Sequence, residues 1–105
     1  MYGLIVKLML KPGKRDEMIE VLKSSSGAMP GCHSYLVMKD SSDADVLWIS
    51  EVWDSEQSHK ASLDLPAVRA SMPQAKALVA DFERVAITDP VWDAAQTVSH
   101  QSAAD

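Results

Sequence analysis

Val46-Leu47-Trp48-Ile49-Ser50-Glu51-Val52-Trp53 is the stretch on which the fold turns. β-Branched and aromatic residues dominate it, and such residues fit a pleated, covered surface better than a helix. Side chains alternate across a strand, so Leu47, Ile49 and Trp53 share one face with Glu51, while Val46, Trp48 and Val52 share the other. A half-exposed strand would keep one of these sets polar. Both sets are apolar, which points to a strand covered on both sides.

The flanking chain places this strand in a sheet. Asp40-Ser41-Ser42-Asp43-Ala44-Asp45 is compact turn chemistry, and Cys32 to Met38 before it is strand-like through Tyr35, Leu36 and Val37. The two strands read as a hairpin. Tyr2 to Leu10 is a nearly continuous apolar run and makes a first strand, ended by Pro12-Gly13. Lys14 to Ser25 sets Met18, Val21 and Leu22 at helical spacing, and Pro30-Gly31 breaks the chain after it. Asp54 is placed to cap a second helix running to about Leu65, with Gln57 three residues on. Pro66 suits a helical first turn, and Pro73 is expected to interrupt or restart that helix. Phe82 to Ile87 forms a fourth strand, closed by Thr88-Asp89-Pro90.

The order βαββαβ predicts an α+β, ferredoxin-like fold: a four-stranded antiparallel sheet with its helices on one face. Those helices cover only one side of Val46–Trp53. The other side calls for a second copy, giving a homodimer through facing sheets, a dimeric α+β barrel. Residues 1–90 are the expected domain. Residues 91–105 read as a tail, frayed or packed on the partner subunit, with Pro90-Val91-Trp92 as its anchor.

The chain has 105 residues, of which 47% are hydrophobic and 24% charged, which suits one folded domain. Ten Lys and Arg against fifteen Asp and Glu leave a net charge of -5, with no cationic cluster, so nucleic acid is not an expected partner. No apolar run reaches membrane-spanning length, and Met1 to Lys7 lacks the features of a secretory leader, so the expected location is cytoplasmic, away from membranes. The lone Cys32 excludes an internal disulfide or a paired-cysteine metal site.

Chemistry is concentrated in a few residues. Glu51 interrupts an apolar strand face, and a buried carboxylate must find a partner such as Arg84, cap local amides, or act as a base. His59 shares a helical stripe with Ser62, Leu63 and Pro66, which turns it inward, either to a backbone carbonyl or to a pocket. His33 alternates onto the face of Tyr35. Trp48 and Trp53 are core or interface aromatics or ligand platforms, and the six Met residues are adaptable packing or the lining of a flat apolar pocket. His33, Glu51 and His59 do not have metal-ligand spacing, and no metal is expected.

Lys11-Pro12-Gly13-Lys14, Pro30-Gly31-Cys32-His33-Ser34-Tyr35 and Glu51-Val52-Trp53-Asp54-Ser55-Glu56, the last leading into His59-Lys60-Ala61-Ser62-Leu63, together resemble the antibiotic biosynthesis monooxygenase family over about residues 2 to 88. The resemblance implies a ferredoxin-like protomer, a dimer of facing sheets and a pocket between sheet and helices. Members of that family oxidise phenolic or hydroquinone-type aromatics with O2 and no cofactor, and a related branch degrades haem. On that resemblance His59 and Glu51 are the candidate catalytic residues, and Tyr35, His33, Trp53, Trp48 and Ser62 the candidate substrate contacts. The implied partner molecule is small, aromatic or apolar. Asparagine, which the haem branch and related oxidising members use in their pockets, is absent, and the positions matching the haem branch fall near Val6, Ser62 and Met72. Haem is thereby disfavoured. The other reading is a non-catalytic ligand-binding or stress-related dimer in which His59 and Glu51 serve structure.

Overall fold

A computed structural model describes residues 1–95. Its elements run β1 (Tyr2–Leu10), α1 (Arg15–Ser25), β2 (Cys32–Lys39), β3 (Val46–Trp53), α2 (Glu56–Ser62), α3 (Pro66–Leu78) and β4 (Val79–Thr88). The sheet order is β2-β3-β1-β4, and every adjacent pair is antiparallel. This is the ferredoxin-like arrangement, with α1 and α3 packed on one face.

The core explains why the helices sit there. Leu8 and Leu10 of β1, Leu47 and Ile49 of β3, Met18 and Val21 of α1 and Leu78 of α3 form one buried cluster. On β3, Leu47, Ile49, Glu51 and Trp53 all lie buried on this inner face. The outer face is only partly covered: Val46 is buried, but Trp48, Ser50 and Val52 are half-buried. Leu36 and Met38 of β2 are exposed, 54% and 37%. Residues 90–95, following β4, come to this face and with His33 and Val52 line an outer-face cavity. The remainder of the expected tail, residues 96–105, lies outside the described residues.

Four local expectations are corrected. Ser55, not Asp54, caps α2: its side chain accepts from the Ser58 backbone N–H at 3.1 Å. The shorter hydroxyl sits at the residue whose backbone is still extended, which is what a cap requires. That helix ends at Ser62, so Leu63 to Leu65 form the link to α3. Pro73 does not break α3, which runs through it. Tertiary packing of Ala75 and Leu78 against the core outweighs the lost backbone hydrogen bond. β4 begins at Val79, three residues earlier than expected, directly on the end of α3.

Gly31 brings β2 against α2. Its φ is +83°, and a Cβ there would stand 2.7 Å from Ser58 Oγ. Asp54 N–H donates to its carbonyl at 2.8 Å. Only glycine meets both demands at little cost.

Candidate functional site

Between the inner sheet face and the helices lies a cavity of about 340 Å³. Ile49 contributes to its floor, and Met18, Met29 and Met72 to its walls. Thioether side chains adapt to flat apolar ligands, so half of the chain's six methionines are placed where a ring could lie. Into this apolar space come Glu51, Trp53, Tyr35, His59 and Ser62.

Glu51 is only 7% exposed and stands in register between Leu4 of β1 and Tyr35 of β2. Its Oε1 accepts a hydrogen bond from Trp53 Nε1–H at 2.9 Å, from the next residue on the same strand face. The Trp53 indole thus fills the partner role that the sequence left open to Arg84. The same Oε1 is 3.8 Å from His59 Nε2. That separation is too long for a hydrogen bond, and it leaves the carboxylate facing the ring across a short, poorly solvated gap.

His59 projects from α2 into the cavity with 13% of its side chain exposed. Its ring lies between Tyr2, at 5.8 Å, and Trp53, at 5.6 Å with a near-perpendicular edge contact. Ser62, one turn on, is buried and spends its hydroxyl hydrogen on the His59 carbonyl at 2.6 Å. Ser62 therefore reaches the cavity as an acceptor and apolar edge.

Tyr35 is the neutral donor of the set. Burial pushes its phenol well above the ordinary value, and the nearby charges of Glu51 and Cys32 add to the shift. A phenol that keeps its proton donates hydrogen bonds without carrying charge. Burial also raises the Cys32 thiol; a backbone hydrogen bond at Ser34 opposes this, and Glu51 reinforces it.

His33 and Trp48 are not brought to this cavity. A register shift between Cys32 and Ser34 breaks the alternation, so His33 leaves the face of Tyr35. It lines the outer-face cavity instead, hydrogen-bonded through Nε2 to Asp54 Oδ1. Trp48 follows its strand parity to the outer face, donates to Asp40 Oδ2 at 2.8 Å, and carries Lys7 Nζ 5.6 Å from its ring. With His33 displaced, the trio His33, Glu51 and His59 is not assembled; among the described residues no three His, Cys, Asp or Glu converge as metal ligands. The sequence offers methionines in general as pocket lining without singling out Met29 and Met72, and Tyr2 is not among its candidates. Tyr2 was legible from parity, since it shares the inner face with Leu4 and pairs with Trp53; the methionines were not, because they meet only when α1, α3 and the loop before β2 come together.

These features define a class: a ferredoxin-like α+β domain with a ligand-sized chamber beneath its helices and a buried carboxylate–imidazole pair. The family profile described as Antibiotic biosynthesis monooxygenase matches residues 1–74, and the chain belongs to that family. A solved structure from Chloroflexus aurantiacus J-10-fl, described as a candidate antibiotic biosynthesis monooxygenase, is 46% identical with a TM-score of 0.83 and covers 88% of this chain and 94% of its own. A similarly described structure from Nitrosomonas europaea is 17% identical with a TM-score of 0.77, covering 88% and 100%. One from Caulobacter crescentus CB15 is 19% identical with a TM-score of 0.74, covering 87% and 90%. The last two speak for the fold alone. No curated protein matches the chain. Among the described residues no helix is long and apolar enough to cross a membrane.

Proposed function

We propose that this chain is a cofactor-independent monooxygenase acting on a small aromatic, quinol-type substrate. The observation that carries this reading is the juxtaposition of His59, Glu51 and Tyr35 at one wall of an otherwise apolar, methionine-lined cavity. A phenol bound there gives its proton to His59 Nε2, and Glu51 offsets the charge that forms. The phenolate is electron-rich enough to pass electrons to O2, which needs only a dry cavity. One oxygen atom replaces a ring hydrogen and ends as a carbonyl; the other takes the released hydrogens and leaves as water. Tyr35 and the Trp53 edge hold the ring.

Oxygen uptake with a panel of reduced quinones tests this. Wild type is expected to consume O2 with at least one of them, and His59→Ala to lose about 10²-fold in rate, the usual scale for a positioned base. Equal rates in the two proteins would remove His59 from the chemistry. Tight binding with no uptake in either would favour the non-catalytic ligand-binding reading.

Two protomers pair, in this proposal, through their outer sheet faces, where Leu36 and Met38 lie exposed beside half-buried Trp48 and Val52. The exposed apolar area and the resemblance to the barrel-forming family support it. Light scattering should give twice the chain mass at micromolar concentration, and a single-chain mass would contradict it. A free, partly buried Cys32 suits a reducing compartment, and the cytoplasm is the location we propose.

A further inference from the structure

A second cavity, of about 360 Å³, adjoins the first along the open edge of β2. Tyr35, Leu22 and Ser26 line both, so Tyr35 stands at the junction. From that junction the second cavity follows β2 past Val37 to Lys39, about 13 Å of extended strand. Its walls are Val37 and Leu47 of the sheet and Ile19 and Leu22 of α1. Among the described residues its charged lining is Lys23 and Lys39, one from each side.

Both lysines are held loosely. Lys39 Nζ lies 3.4 Å from Asp16 Oδ1 and Lys23 Nζ 3.5 Å from Glu20 Oε1, with all four side chains more than half exposed. Neither acid lines the cavity. Exposed pairs of this kind are weak, so an anion arriving from the cavity side competes for the ammonium groups at little cost.

We infer that the two cavities form one bent site, whose ligand is a flat phenolic ring carrying a side arm that ends in an anionic group held by Lys23 and Lys39. The ring occupies the chamber of His59 and Glu51, the arm passes Tyr35, and the anion sits at the β2 edge. The inference deepens the proposed function and rests on the first cavity being the ring site.

The test is calorimetric titration of the full chain under argon with three probes: 1-naphthol, 1-naphthol bearing a carboxypentyl arm at the 4-position, and the methyl ester of that arm. The ester matches the acid in length and differs in charge. The acid is expected to bind about fivefold more tightly than the ester, and ~0.5 M salt to erase most of that margin. In the Lys23→Gln, Lys39→Gln double variant, acid and ester should bind alike while 1-naphthol binds as in wild type. Both substitutions are on the surface, and unchanged circular dichroism confirms the fold. Equal binding of acid and ester by wild type, or discrimination that survives the double variant, overturns the inference and leaves the ring site standing. No binding of any probe, 1-naphthol included, overturns the inference together with the ring site.

Discussion

Glu51 is the residue on which the site's electrostatics depend. Glu51→Gln keeps an oxygen for the Trp53 indole but removes the charge facing His59. The variant is expected to stay within about 1 kcal/mol of wild-type stability and to lose at least about tenfold in oxygen uptake; full activity in a folded variant would show that the charge does not serve the chemistry. Tyr35 carries its own pH signature. Its folded-state ionisation is raised above the ordinary value of 10.0, chiefly by burial, so the unfolded chain releases the proton first. Stability should therefore be complete below about pH 10 and fall as pH rises beyond it, and Tyr35→Phe should remove that slope in denaturant titrations. Asp40 works in the opposite direction. Its carboxyl is lowered from 3.8 to about 2, first by the bond from Trp48, then by the Asp43 and Ser42 backbone N–H groups. Its stabilising contribution is present above the ordinary value and is lost as pH falls toward about 2, so Asp40→Asn should flatten the acid limb of a stability–pH curve there. At this scale parity and helical spacing turn Glu51, His59 and Ser62 toward one inner space, while the pocket roles of Tyr35 and Trp53 rested on the family resemblance. Trp48 entered on the same resemblance, although strand parity alone separates it from Trp53. His33 was misplaced by an irregularity that alternation does not foresee.

The elements were largely legible because their signals agree. β1 and β3 have the bounds expected from their apolar runs, and the Pro-Gly pairs mark the turns. What failed was the competition between neighbouring signals. Two side chains, Asp54 and Ser55, can each cap a helix, and the backbone conformation rather than composition chooses Ser55. Ser55→Ala is expected to cost about 1 kcal/mol, read as a lower melting temperature, whereas Asp54→Ala should spare the cap and instead release His33. A larger helical penalty from Asp54→Ala than from Ser55→Ala would reverse that assignment. Pro73 is the other case: local propensity ends a helix there, but the residues beyond it still belong to the buried stripe.

For the whole molecule, the apolar content of both faces of β3 is the organising fact. The inner face is completed within the protomer by α1 and α3; the outer face is covered only in part, and residues 90–95 after β4 share a cavity with Val52 there. That arrangement is only half legible in the sequence, which leaves one face of β3 outside the helices' cover but does not show the chain's own residues 90–95 lying on that side. It puts cavities on both sides of one sheet, and the proposed chemistry belongs to the inner side. The three tryptophans report on this directly, since Trp53 borders the inner cavity, Trp92 the outer one, and Trp48 stands on the outer face. Indole N–H resonances followed during titration with 1-naphthol under argon should show the Trp53 signal moving while those of Trp48 and Trp92 hold still. Movement of Trp48 or Trp92 with Trp53 unchanged would place the ligand on the wrong side of the sheet and contradict the site.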